Sequence, residues 1–235
     1  MHQKRYGAKR VMHVPAKGKV FVTRPKPGPH PGHRTIPLSV VVRDMLRQAE
    51  TAAEAKRIIS RGMVLIDGGR VLDHKHPVGL MDVVEIPLTH EVYRALPIHR
   101  RGLRLVKIPE EEKAFKLGKV VGKCLIKRGV EQITVHDGRN IRFKPGEAAS
   151  IKNGDTLKIS LPDHRVLDHM PLKQGVQGLI YEGPKQGLHG RLSKLTKGSA
   201  VTPGLTTLST ETGEATTLTE YIFAVGGEEP WITLQ

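Results

Sequence analysis

The sequence predicts an α+β fold divided into several small modules. Three observations carry that expectation. A chain of 235 residues exceeds what one small core needs, yet it falls short of three full-sized domains. Apolar residues recur at helical spacing in one stretch, residues 39–62. Nearly everything after it reads as short alternating strands broken by glycine turns. The expected divisions are an arm over residues 1–37, a helix-and-hairpin module over 38–93, a β-rich segment over 94–170 and a second small β unit over 171–235.

The arm comes first and is defined by charge. Residues 1–36 hold Lys4, Arg5, Lys9, Arg10, Lys17, Lys19, Arg24, Lys26 and Arg34 and no Asp or Glu. Over RPKPGPHPGHRTIP the alternating prolines fix an extended path and remove backbone donors, which excludes a helix or a central strand. Such an arm orders against phosphate, or else trails as a solubilising tail.

The helical stretch follows. Val41, Val42, Met45, Leu46 and Ala49 fall on one stripe of a predicted helix over 39–50, with Arg43 and Arg47 one turn apart on another face. Thr51 and Glu54 make a capping box that starts a second helix, in which Ala55, Ile58 and Ile59 form the buried stripe and Lys56, Arg57 and Arg61 face solvent. Gly62 suits the left-handed residue that ends it. Val64 and Ile66 alternate as a strand, Asp67-Gly68-Gly69 turns, Val71 returns, and Val83, Val84 and Ile86 add a further strand.

Further on, Glu110, Glu111 and Glu112 follow Pro109 at the start of a short predicted helix over 109–116, where carboxylates complement the helix dipole. Strands are expected over 119–127, 132–136, 140–143 and 156–160, with Asp137-Gly138 as the clearest hairpin signal. After Lys197 there are five acids and no Lys or Arg, so this end should face away from a polyanion.

Charge also selects the partner. With 38 Lys+Arg against 23 Asp+Glu, a net charge of +15 calls for a polyanion, and nucleic acid leads. A membrane-surface protein should show an amphipathic basic helix or a lipidation signal, and a spanning one a long apolar run; the sequence offers neither. Aromatics make up 4% of the chain, too few for a row of base-stacking platforms, which favours phosphate and shape recognition of folded RNA. The single cysteine, Cys124, excludes an internal disulfide or a paired-cysteine zinc ribbon, and a cytoplasmic protein is expected. With Leu125 and Ile126 beside it, Cys124 reads as a buried core thiol. The pairs His30/His33 and His74/His76 lack cysteine partners or a nearby carboxylate cluster and read as phosphate-facing or solvated histidines. No metal, cofactor or small-molecule substrate is expected, and no catalytic residue.

The run VVVRDMLRQAETAAEAKRIISRGMVLIDGGRVLDHKHPVGLMDVVEI resembles the S-four RNA-binding module, a helix-loop-helix packed on a hairpin. With HQKRYGAKR, RPKPGPHPGHRTIPL and YIFAVGGEEPWITL, nearly the whole chain resembles the S-four-e family of archaeal and eukaryotic small-subunit ribosomal proteins. KQGVQGLIYEGPKQGLHGRLSKL resembles a KOW motif in an SH3-like barrel, although Glu182-Gly183-Pro184 stands where that family usually shows paired glycines. The resemblance implies a structural ribosomal constituent, bound to small-subunit ribosomal RNA beside neighbouring ribosomal proteins. The RNA-binding candidates are Arg43, Arg47, Lys56, Arg57 and Arg61 as one face across the helices, Arg70 and Lys75 from the hairpin, and Lys4, Arg5, Lys9, Arg10, Arg24 and Lys26 from the arm. The alternative is a pseudouridine synthase carrying the same module. Its signature sets a catalytic Asp directly after Arg-Leu, whereas His164-Arg165-Val166-Leu167-Asp168 has one residue too many.

Overall fold

A computed structural model describes residues 3–15, 17, 18, 20–99, 102–196, 198, 199, 202–211 and 213–234. Lys19 of the basic arm lies outside the described residues. The chain forms two compact units, Met1–Ala114 and Phe115–Gln235. Among the described residues no helix is long and apolar enough to cross a membrane.

In the first unit, β1 (Gln3–Lys4) pairs antiparallel with β2 (Phe21–Val22), and a short strand β3 (Ile36–Pro37) leads into α1 (Leu38–Val40). The predicted helix over 39–50 is corrected. After α1 the chain widens into a π-helical turn, Val41–Met45, in which the Leu46 amide donates to the Val41 carbonyl at 2.9 Å, and Arg47 adopts a left-handed φ of 55°. Val40, Val41 and Val42 explain this: β-branched side chains favour helix weakly, and all three are fully buried, so packing overrides regular winding.

The second helix, α2 (Ala52–Ser60), forms as expected. The Thr51 side chain accepts from the Glu54 amide at 3.1 Å, but the Glu54 carboxylate accepts from Glu50, one residue earlier than a standard capping box requires. Gly62 ends the helix with φ +72°. The strands β4 (Leu65–Ile66), β5 (Gly69–Arg70), β6 (Pro77–Val78), β7 (Val83–Ile86), β8 (Glu91–Ile98) and β9 (Gly102–Lys107) follow. Five of them make a sheet in the order β5-β4-β7-β8-β9, while β6 pairs with β3. The sheet thus runs through β8 and β9, and position 93–94 lies within a paired strand. The predicted helix over 109–116 is a 3-10 turn, Glu110–Ala114, because the chain is extended again from Phe115. Arg94, wholly buried, holds that turn: its Nη2 donates to the Glu112 carbonyl at 2.9 Å, and burial pulls its pKa down to about 10.

In the second unit, β10 (Phe115–Leu125) is followed by β11 (Glu131–Val135), β12 (Asn140–Phe143), β13 (Thr156–Ser160) and β14 (Val166–Met170), in the order β12-β11-β10-β13-β14. The first half of β10 pairs with β13 and the second half with β11. Val120, Ile133, Val135, Leu157 and Ile159 form the core beneath. Cys124 is exposed, which corrects the buried thiol: it sits in the half of β10 that has run past β13, opposite Gln132. A second sheet, β15 (Gln177–Ile180), β16 (His189–Thr196), β17 (Leu205–Thr210), β18 (Gly213–Leu218) and β19 (Ile222–Gly226), has the order β18-β17-β16-β15-β19. Lys119 joins the two sheets: from β10 its ammonium donates to the carbonyls of Glu220 and Ile222, each at 2.6 Å.

Candidate nucleic-acid interface

The basic residues singled out by sequence divide into those that face solvent and those that hold the protein together. On α2 and its end, Lys56, Arg57 and Arg61 are all exposed. Their exposure follows from the helical period, which turns Ala55 and Ile59 inward and leaves the intervening positions outside. Arg70 on β5 is exposed as well, and its aliphatic stem covers Gly62, where a Cβ would lie 2.4 Å from Arg70 Cδ. The helix end and the hairpin are therefore joined through an arginine whose charged head remains at the surface.

Arg43 and Arg47 do not share a helical face with this group, because the regular helix has ended before them. Arg47 is exposed. Arg43 forms a two-pronged pair with Asp44, Nε to Oδ1 at 2.7 Å and Nη2 to Oδ2 at 2.6 Å, and that bonding raises its pKa further.

The arm is not a trailing tail. Arg5 donates from Nη2 to the Val14 carbonyl at 2.5 Å and from Nε to the Pro15 carbonyl at 2.6 Å, closing a loop over the buried residues Val11, Met12 and Val14. Its charge is thereby spent inside the arm. Lys4, Lys9 and Arg10 are exposed around it. The proline-rich stretch lies along the hairpin: the Lys26 amide donates to the Lys75 carbonyl at 2.9 Å, and the Lys26 ammonium pairs with Asp73. That bond, with the Lys75 amide second, holds the Asp73 carboxyl below the usual carboxylate range. His30 is buried beside Asp82, which corrects the expectation of a solvated or phosphate-facing histidine. His74 and His76 are partly buried, and burial is the main cause that lowers the pKa of each.

The arm, with Lys75 from the hairpin segment, lines an open cleft of about 810 Å³. Lys9, Arg24, Lys26 and Lys75 stand in its walls, and among the described residues lining it none is acidic. Sequence reasoning named these four cations individually but not the cleft. The acid-free arm was a legible signal; its return onto residues 73–77 depends on tertiary packing.

Sequence comparison places the chain among relatives. The profile described as "Ribosomal family S4e" matches residues 89–166, and the S4 domain profile matches residues 36–84. A protein named small ribosomal subunit protein eS4 from Hyperthermus butylicus is 39% identical, over 99% of this chain and 94% of its own length. Its namesake from Methanothermobacter thermautotrophicus is 38% identical over 99% and 95%. Among solved structures, the crystal structure of the 30S ribosomal protein S4e from Thermoplasma acidophilum matches with a TM-score of 0.69 and 29% identity, over 83% of this chain and 96% of that one.

Proposed function

Because the chain belongs to ribosomal family S4e, a structural component of the small ribosomal subunit and not an enzyme, we propose that its exposed basic surface holds small-subunit ribosomal RNA. Membership also displaces the pseudouridine-synthase alternative. The observation that carries the RNA reading is the separation of charge. Lys56, Arg57, Arg61 and Arg70 are exposed on the helix and hairpin, and Lys4, Lys9, Arg10, Arg24 and Lys26 on the arm, where Lys26 is paired with Asp73.

Guanidinium and ammonium groups at these positions neutralise phosphates and release counterions, and no chemical step is required. Arginines engage phosphate oxygens in pairs, so Arg57 and Arg61 outrank Lys56. Arg5 and Arg43 support the surface from within, through the carbonyls and the carboxylate they hold. The five strands β15 to β19 form the KOW-bearing, SH3-like barrel that the glycine pattern resembles, with neighbouring ribosomal proteins as further partners. The protein works in the cytoplasm, bound to ribosomes.

The test is co-sedimentation with small subunits over a salt series. A component stays with the mature particle and leaves only as salt rises; recovery chiefly in the free pool, with no dependence on salt, sinks the reading.

A further inference from the structure

We propose that the cleft between arm and hairpin is a receptor for one unpaired nucleotide of RNA, taken in with its phosphate. This rests on the RNA reading above and adds to it a specific pocket and a specific structural element of the ligand.

Electrostatics selects an anion. Lys9, Arg24, Lys26 and Lys75 bring four cations to the walls, and Asp73, which pairs with Lys26, offsets one of them. A bare phosphate would leave most of the cleft unfilled, since about 810 Å³ lies within the range of pockets that hold cofactor-sized molecules. Chemistry of the remaining wall suits a base and sugar: Met12, Pro25 and Pro27 supply apolar surface beside the cations.

A nucleotide within a strand fits better than a free one. Lys4 and Arg10, both exposed on the arm, carry positive charge onward where the flanking phosphates of a strand would run. The frame is also fixed before binding. His30 against Asp82 and the Lys26 amide on the Lys75 carbonyl tie both walls together, so little ordering is left to the moment of contact.

Gly32 offers a way to fill the cleft without altering its charge. It lines the space, a Cβ there meets nothing within 4 Å, and its φ lies outside the left-handed range. The experiment measures binding of the full chain, by fluorescence anisotropy, to an RNA hairpin with a one-nucleotide uridine bulge and to the same hairpin fully paired. The wild type should prefer the bulged RNA by about tenfold, from the phosphate and apolar contacts of one nucleotide. Gly32→Phe should erase the preference and keep the affinity for the paired hairpin; Lys9→Ala, read alongside, should reduce the preference with no bulk added.

Equal wild-type affinity for the two RNAs overturns the cleft proposal and leaves the RNA reading standing. Failure to bind either RNA overturns both. Persistence of the preference in both variants places the nucleotide elsewhere, and uridine monophosphate binding in the cleft without any bulge preference replaces the strand with a free nucleotide.

Discussion

His30 Nε2 lies 2.9 Å from one carboxylate oxygen of Asp82 and 3.0 Å from the other, with both side chains almost wholly shut from solvent. Asp82 also accepts from the Gly79 amide at 2.7 Å, and a Cβ on Gly79 would lie 2.2 Å from the His30 ring. The arm is thereby built into the first unit. His30→Ala leaves a buried carboxylate short of a partner and should destabilise the protein by about 3 kcal/mol, with earlier proteolysis of residues 24–37. Denaturation midpoints and limited digestion read this; an unchanged midpoint would mean that the contact is not structural. Deleting residues 1–36 should do similar damage, which makes that truncation a poor test of RNA contact.

Arg57 and Arg61 face solvent, whereas Arg43 is held by Asp44. Joint replacement, Arg57→Ala with Arg61→Ala, should lower the log-log salt slope of RNA binding by about 1.5 and leave the unfolding midpoint within experimental scatter. Arg43→Ala should do the reverse, with little change in slope and a loss of stability. Filter binding over a salt series separates the two, and identical slopes for all variants would move the phosphate contacts off α2.

Lys119 is 5% exposed, and burial pulls its pKa from 10.5 down to about 8. Below about 8 the amine is charged in folded and unfolded chains alike. Between there and 10.5 the unfolded chain still takes up a proton that the folded one refuses, so this group makes stability rise with pH through that window. The full effect is about 3 kcal/mol at most. Urea unfolding of wild type and Lys119→Met at pH 7.5 and about pH 10 isolates it; the wild type should gain relative to the variant, and parallel curves would refute the assignment.

Gly190 on β16 meets the backbone of β17 closely, since a Cβ would lie 2.2 Å from the Ser209 carbonyl oxygen. Gly190→Ala must push the two strands apart and should cost about 1–3 kcal/mol. Because neither neighbour is a flexible side-chain end, repacking cannot absorb it. A wild-type melting profile for the variant would show that the strands have slack the geometry denies.

Local chemistry was the part of this fold that the sequence displayed. The Thr51 cap on the Glu54 amide, Gly62, Asp137-Gly138 and the strand at 140–143 depend on neighbours within a few residues, and they form, although the Glu54 carboxylate reaches Glu50 and not Thr51. What escaped was decided by distant partners. Cys124 has apolar neighbours in sequence but lies past the end of its strand's inner pairing. His30 meets Asp82, 52 residues on. Arg5 is taken up by two carbonyls and Arg43 by the adjacent Asp44, so counting positive residues overstated how many present charge to a ligand. The candidate site was half legible for the same reason. Periodicity exposed Lys56, Arg57 and Arg61, while the cleft needs Lys75 to meet a segment about fifty residues earlier.

Strand β10 sets an order of events on a chain made from one end to the other. Its far half finds β11 a few residues later, but its near half must wait for residues 156–160, and β15 must wait for residues 222–226. During that interval one half-paired edge, carrying Leu117 and the amides meant for β13, stands open to any passing strand. Stretches of translation that linger between residues 136 and 156 should therefore be the ones that most need a chaperone, and a hairpin joining β10 to β13 directly should relieve them.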